Sequence, residues 1–457
     1  MNALGDDETA GVRAGDVGAK APKSHMVGRR RLIGLGAGAA VAVAFGAAGP
    51  ARAQGRADRA GTPAGTETLD GTSRPDVIIE WYDTTAAVIA SWGAPTQITN
   101  SRAWGIGWLA AARALEYGRD RDFEDAAVAS AVHAALRTLF PGPDQAAFLD
   151  GAFARTLARL PAGRRTSAGI AEGERQAARA VAEREGDGLR PEQVNAPYTP
   201  PPVAPGIWRP TPPDPTRPAV QFGQRLGRTF LLGRADRFRP GPAPDLGSDT
   251  YLTDLAEIRA YGRKTGGPRT PKQTDTALFW QQSSLAGFTG ALRAAVAHPR
   301  PRSVRDRARL VAAFHTISVD AQIAVFEAKY VHTRWRPVTA IREGSVDPDP
   351  TWEPLVATPR HPDYPGGHCT FAGAAEAVLT ALAGPGPATP VTLGSPDGVT
   401  RTYAYWHEMT RDNINARVWE GVHFRYSDVA GATLGRRVAE WGLAGLPTLF
   451  GEHHIRR

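Results

Sequence analysis

One stretch limits what this chain can fold into more than any other. Between Val304 and Tyr330 the apolar residues Leu310, Phe314, Ile317, Ala321, Ala324 and Ala328 recur in steps of four, three, four, three and four. That rhythm is the buried side of an α-helix, and the rest of the chain must cover it. Most other segments carry the same rhythm. Val77, Ile78, Trp81, Val88, Ile89 and Trp92 recur at helical spacing, and amphipathic or Ala-rich stretches follow at 104–117, 122–140, 144–160, 167–185, 248–261, 271–282 and 284–297. Alternating β-branched residues are scarce, so the predicted fold class is all-α. A proline cluster over residues 191–218 breaks the pattern, with Pro200-Pro201-Pro202 and Pro210-Thr211-Pro212-Pro213, and Gly/Pro-rich chain continues to Gly247. Such a stretch excludes helix and central strand and predicts an extended surface crossover. Two helical halves, 76–190 and 248–450, joined by the crossover 191–247, predict two packed four-helix-bundle-like halves of a single large domain, 76–450.

The N-terminus reads as a targeting segment. Arg29-Arg30-Arg31 precedes an apolar run from Leu32 to Gly49, and Ala51-Arg52-Ala53 follows as a small-residue cleavage site. Paired arginines before such a run resemble a twin-arginine export signal. The run is rich in Gly and Ala and too weakly apolar for a good membrane anchor. The expectation is export, removal of residues 1–53, a disordered linker over 54–75, and no membrane span afterwards. A chain with 42% hydrophobic and 22% charged residues is globular, and its net charge of +8 includes no Lys/Arg run interleaved with aromatics in the body, which disfavours nucleic-acid binding. The single cysteine, Cys369, allows no intramolecular disulfide and no Cys-based metal site. It is more simply a small buried residue than a nucleophile.

Three short blocks carry the chemistry. Lys329 follows the end of the apolar stripe, and Arg336-Pro337 comes seven residues later. A cation near an inward face needs a counter-charge. No acid lies on the stripe itself, so the partner is a distant carboxylate or a bound anion. The second block is Tyr364-Pro-Gly-Gly-His-Cys-Thr-Phe371, a tight turn running into an Ala-rich helix. It sets His368 beside bare backbone at a helix N-terminus, which favours an oxyanion. In the third block Arg417 and His423 are six residues apart, with Gly421 between them as a place for the helix to break. Taken singly, each block has an ordinary structural explanation. Together, two arginines, a lysine, glycine N–H groups and two histidines make a cage for a tetrahedral oxyanion.

In order and spacing the blocks resemble the vanadium-dependent haloperoxidase and type-2 phosphatidic acid phosphatase superfamily, whose pattern is K-x6-R-P, then P-S-G-H, then S-R-x5-H. Trp208-Arg-Pro-Thr-Pro-Pro213, Arg269-Thr-Pro-Lys-Gln273 and Thr358-Pro-Arg-His-Pro362 resemble its soluble bacterial haloperoxidase-like branch. The resemblance implies two helix bundles with the site in one of them. It implies that Lys329, Arg336, Arg417 and the Gly367 N–H hold the oxygens of vanadate, that His368 is the acid/base, and that His423 binds vanadium. The implied partners are hydrogen peroxide, a halide and an organic acceptor, with no haem. In a soluble acid phosphatase the same site would take phosphate from a phosphate ester, with His423 as nucleophile. A third reading is a non-catalytic oxyanion-binding protein. Three departures stand out: Gly366 replaces the family serine, Ala416 the serine before Arg417, and Ser427 the acid four residues after His423. Asp428 or Glu420 is expected to stand in for that acid and orient His423. His361 occupies a position that leans the halide toward bromide or iodide.

Overall fold

The computed structural model describes residues 74–300 and 303–451. The predicted signal segment and nearly all of the linker lie outside the described residues. The first half holds α1 (Val77–Trp92), α2 (Gln97–Ala114), α3 (Arg121–Leu139), α4 (Pro143–Leu157) and α5 (Arg164–Ala182). After the crossover come α7 (Asp249–Tyr261), α8 (Pro271–Trp280), α9 (Ser284–Val296), α10 (Val304–His332), α11 (Pro337–Glu343), α12 (Gly367–Ala383), α13 (Trp406–Trp419) and α14 (Arg425–Phe450). The fold is all-α, as the periodicity predicts. Some helices begin at polar caps: the Asp76 carboxylate accepts from the N–H groups of Ile78 and Ile79, and Thr270 and Gln273 form a reciprocal capping box around Pro271.

Three details differ from the sequence reading. The crossover opens on a one-turn helix, α6 (Pro191–Val194), because proline is tolerated at a first helical position. It is also not simply a surface wrap, since Trp208 is 1% exposed and its N–H donates to Thr333 O at 2.6 Å. Second, an antiparallel hairpin of β1 (Val391–Gly394) and β2 (Thr400–Tyr403) pairs Val391 with Tyr403. Third, α10 is buried on all sides from residue 311 to 330, where one stripe was expected. Helices α2, α12 and α14 cover it, and the crossover serves its polar positions. The Asp320 carboxylate accepts N–H bonds from Phe230, Leu231 and Leu232 at 2.6–2.7 Å, and Glu327 pairs with Arg239. Among the described residues α10 is the one helix long and apolar enough to cross a membrane, and its apolar window is wholly buried inside the protein.

Two close backbone contacts set the positions of the functional groups. The first turn of α12 lies directly on the start of α14. The Gly366 N–H donates to Ser427 O at 2.7 Å, and a Cβ on Gly431 would stand 2.3 Å from Gly366 O. The second contact is at Gly421, whose φ is +80° and where a Cβ would meet Gly262 O at 2.5 Å. Only glycine fits that turn. It ends α13 just after Arg417 and returns the chain so that His423 faces the same site, the helix break that the Trp-Glu-Gly-Val spacer suggested.

Candidate active site

The structure gathers the three blocks. Lys329 comes from the end of α10, Arg336 from the N-cap of α11, His368 from the first turn of α12, Arg417 from α13 and His423 from the turn before α14. Lys329, Arg336 and Arg417 are 0%, 0% and 3% exposed. None of them is a bare charge. Lys329 Nζ donates to the carbonyls of Pro362 (2.9 Å) and Asp363 (2.7 Å). Arg336 donates to His361 O (2.8 Å) and Val422 O (2.7 Å), and Arg417 to Trp280 O and the Glu420 carboxylate. Burial, with Arg336 nearby, holds the Lys329 pKa well below its usual value, and burial lowers Arg336 to about 10. Arg336 therefore keeps its charge at neutral pH.

His423 has a defined tautomer. Arg336 NH1 lies 3.1 Å from its Nε2, and a guanidinium can only donate, so Nε2 carries the lone pair and the proton sits on Nδ1. Asp363 Oδ1 lies 2.8 Å from Nδ1, close but off the line of the ring N–H. Burial first, then Arg336 and Lys329, keep this histidine neutral. A neutral imidazole with its lone pair on Nε2 is what a metal ligand or a nucleophile needs, and here Arg336 occupies that lone pair. His368 is less enclosed. Its Nε2–H donates to Gln282 O at 3.3 Å, which leaves Nδ1 as the basic nitrogen, and burial lowers its pKa well below the usual value. His361 lies against Arg336, with NH2 3.0 Å from Nδ1, and meets the Phe326 ring edge-on.

The acids are not where the sequence reading placed them. Glu420 was expected beside His423, but it pairs with Arg417 one helical turn back. Asp428 was the other expected partner, and it lies instead against Gly366 and Cys369. The acid at His423 is Asp363, which the sequence reading missed. It sits in an irregular segment whose rhythm gives no direction, and its only signal was its place between His361 and His368. Ser427, at the expected acid position, donates to Asp363 O at 3.0 Å and so braces that segment. Asp363, Glu420 and Asp428 are at most 1% exposed, so three carboxyls share the interior with three cations. Burial pushes Asp363 to about 6 and Glu420 to about 8, and burial together with Asp363 holds Asp428 well above the carboxylate range. Cys369 is fully buried and its pKa is raised by burial, which suits a packing residue.

Gly366, which the resemblance also counts among the residues around the oxyanion, spends its own N–H on Ser427 O. It caps α12 without a side chain, so the N–H groups of the first turn lack intrahelical partners. Its own side-chain space is taken: a Cβ there would stand 2.3 Å from Asp428 Oδ1. At Gly367 a Cβ would meet only Lys329 Cε, at 3.5 Å. Above this layer opens a cavity of about 500 Å³ with His361, Gly367, His368 and His423 among its lining residues. Its walls carry the amides of Gln97, Asn100, Asn195, Gln221, Gln281 and Gln322. The first half of the chain and the crossover thus supply part of the wall, which no motif indicated.

Residues 309–450 match the family model described as the VCPO second helical-bundle domain. They contain Lys329, Arg336, His368, Arg417 and His423. Over that segment the chain is similar to the second helical bundle of that family. Solved structures share the fold well beyond that segment. A bacterial vanadium-dependent iodoperoxidase is 19% identical with a TM-score of 0.66, covering 80% of this chain and 94% of its own. A bacterial vanadium-dependent chloroperoxidase in its apo form is 17% identical with a TM-score of 0.62, covering 79% and 95%. The holo form of a bacterial vanadium-dependent chloroperoxidase is 16% identical with a TM-score of 0.58, covering 81% and 93%. No curated protein matches the sequence. Against the pattern that the blocks resemble, Gly366 is more than a lost serine hydroxyl, because Asp428 occupies the space a Cβ there would need.

Proposed function

We propose that this chain is a vanadate-dependent haloperoxidase that oxidises halide, bromide or iodide in preference to chloride, with hydrogen peroxide. The observation that carries the reading is His423: neutral, with Nε2 directed at Arg336 beside the cavity and Nδ1 beside Asp363. The donors present fit a tetrahedral oxyanion. Arg417 Nε is buried with no partner, the first turn of α12 has free N–H groups, and Gly367 leaves room above Lys329. In this reading Lys329, Arg336, Arg417 and the Gly367 N–H hold vanadate oxygens, and His423 Nε2 binds the metal. Bound vanadium supplies Lewis-acid activation of peroxide. Arg336 sets the His423 tautomer, Asp363 beside Nδ1 would orient the ring, and His368 would take up or return a proton at Nδ1. The amide walls leave space for an organic acceptor. We further propose that the protein is exported through its twin-arginine-type segment.

An acid phosphatase is the second reading, since the same donors accept phosphate and the polar walls suit a phosphate ester. A non-catalytic oxyanion-binding protein is the third, and Gly366 is the reason to keep it. Protein purified without vanadate and then given orthovanadate separates them. Peroxide-dependent bromination that appears only with vanadate supports the haloperoxidase. Hydrolysis of p-nitrophenyl phosphate that vanadate inhibits, without bromination, replaces it with the phosphatase. Binding with neither activity leaves the third reading.

A further inference from the structure

Asp428 is a carboxyl of this interior whose two oxygens are both left without a hydrogen-bond donor. Its side chain is 0% exposed, and neither carboxyl oxygen has a nitrogen or oxygen hydrogen-bond partner; the Cys369 thiol, a weak donor, is the polar group beside it. A buried carboxylate without donors is strongly disfavoured, so such a group keeps its proton unless a partner is supplied. The groups that face it come from every element around it: Asp363 on the irregular segment, Cys369 on α12, Arg417 on α13 and Arg425 on its own helix. Lys329 and Arg336 also feel its charge. Burial and the neighbouring Asp363 raise its pKa well above the carboxylate range.

Its position gives it something to do. Oδ1 lies 2.3 Å from where a Cβ of Gly366 would be, so the carboxyl fills the side-chain space of the residue that caps α12. It does not act as that cap, because it accepts from none of the first-turn N–H groups. An acid O–H with no acceptor therefore stands next to the helix N-terminus that borders the cavity. We propose that Asp428, as a neutral carboxylic acid, is a hydrogen-bond donor to the oxyanion bound in this site, taking the place a side chain at position 366 would have held. The proposal rests on the oxyanion site described above.

The test uses the full chain free of vanadate and measures vanadate and phosphate affinity by calorimetry, with melting temperature in parallel. Wild type, Asp428→Asn and Asp428→Ala are compared. A donor role predicts that Asp428→Ala weakens binding by roughly tenfold or more, the size of a hydrogen bond to a charged group. Asp428→Asn keeps the shape and an N–H donor and should stay within about threefold of wild type. Tighter binding in both variants would mean a competing carboxylate and overturn the proposal. So would unchanged affinity in both with a lowered melting temperature, which is a structural role. Should Asp428→Ala not fold, a gain in affinity for Asp428→Asn is enough to reject it. Difference infrared spectroscopy on adding phosphate gives an independent reading: the carboxylic-acid C=O band should shift in wild type and that signal should vanish in Asp428→Asn. If wild type binds neither anion, the oxyanion-site reading fails and this proposal with it. If wild type binds and the variants bind equally, only this proposal fails.

Discussion

Replacing Gly366 by serine sets local preference against tertiary packing. Locally the change is favourable. With φ −66° and ψ 118° the site is ordinary for an L-residue, and serine caps a helix better than glycine by a few tenths of a kcal/mol. Filling a glycine position at compatible angles adds about 0.4–1 kcal/mol through the unfolded chain. Packing opposes this. The new Cβ would meet Asp428 Oδ1 at 2.3 Å, Asp428 Cα at 2.9 Å and Ser427 O at 3.2 Å. The carboxyl can turn aside, but the Cα belongs to the α14 backbone. That backbone is tied to Gly366 by the 2.7 Å bond to Ser427 O and abuts it again at Gly431. Overpacking of this kind costs about 1–3 kcal/mol. The net expectation is a loss of about 1–2 kcal/mol, read as a lower urea midpoint at unchanged slope. Gly367→Ala is the control, since its Cβ would make only an ordinary 3.5 Å contact with Lys329 Cε, and its stability should hold or rise. A Gly366→Ser variant as stable as wild type would refute the packing argument.

Arg336→Ala should weaken vanadate binding by about 2 kcal/mol or more by calorimetry, because it removes a fully buried cation and the donor at His423 Nε2; unchanged affinity would reduce this arginine to a brace for the 361–363 segment. Glu420 is raised by burial from 4.5 to about 8, so its contribution to stability is complete below about pH 4.5 and is lost as pH rises to about 8. Urea midpoints of Glu420→Gln should lack that decline, and an identical pH profile would contradict the assignment. His423→Ala should lower both vanadate affinity and bromination, whereas His368→Ala should keep most of the affinity and lose roughly 10²–10⁴ in turnover; equal effects on binding would merge the two roles.

The sequence by itself determined the helices and marked the three blocks that the fold brings together. Helical periodicity, polar caps and the proline cluster are local properties, and they place α10 and its neighbours within a few residues. The blocks around Lys329, Arg336, His368, Arg417 and His423 were legible because each depends on spacing within one segment. The tertiary structure decided what surrounds them. Asp363 lies 60 residues before His423 in the chain, and only the turn at Gly421 and the bonds from Lys329 and Arg336 bring the two together. Whether position 366 can carry a hydroxyl depends on Asp428, a residue on another helix that crosses it backbone to backbone. Which acid pairs with which base is a question of packing distance. Burial then sets the protonation of Asp363, Glu420 and Asp428, because a charge withdrawn from water is governed by every group that replaces the water. No local pattern in the sequence records that environment.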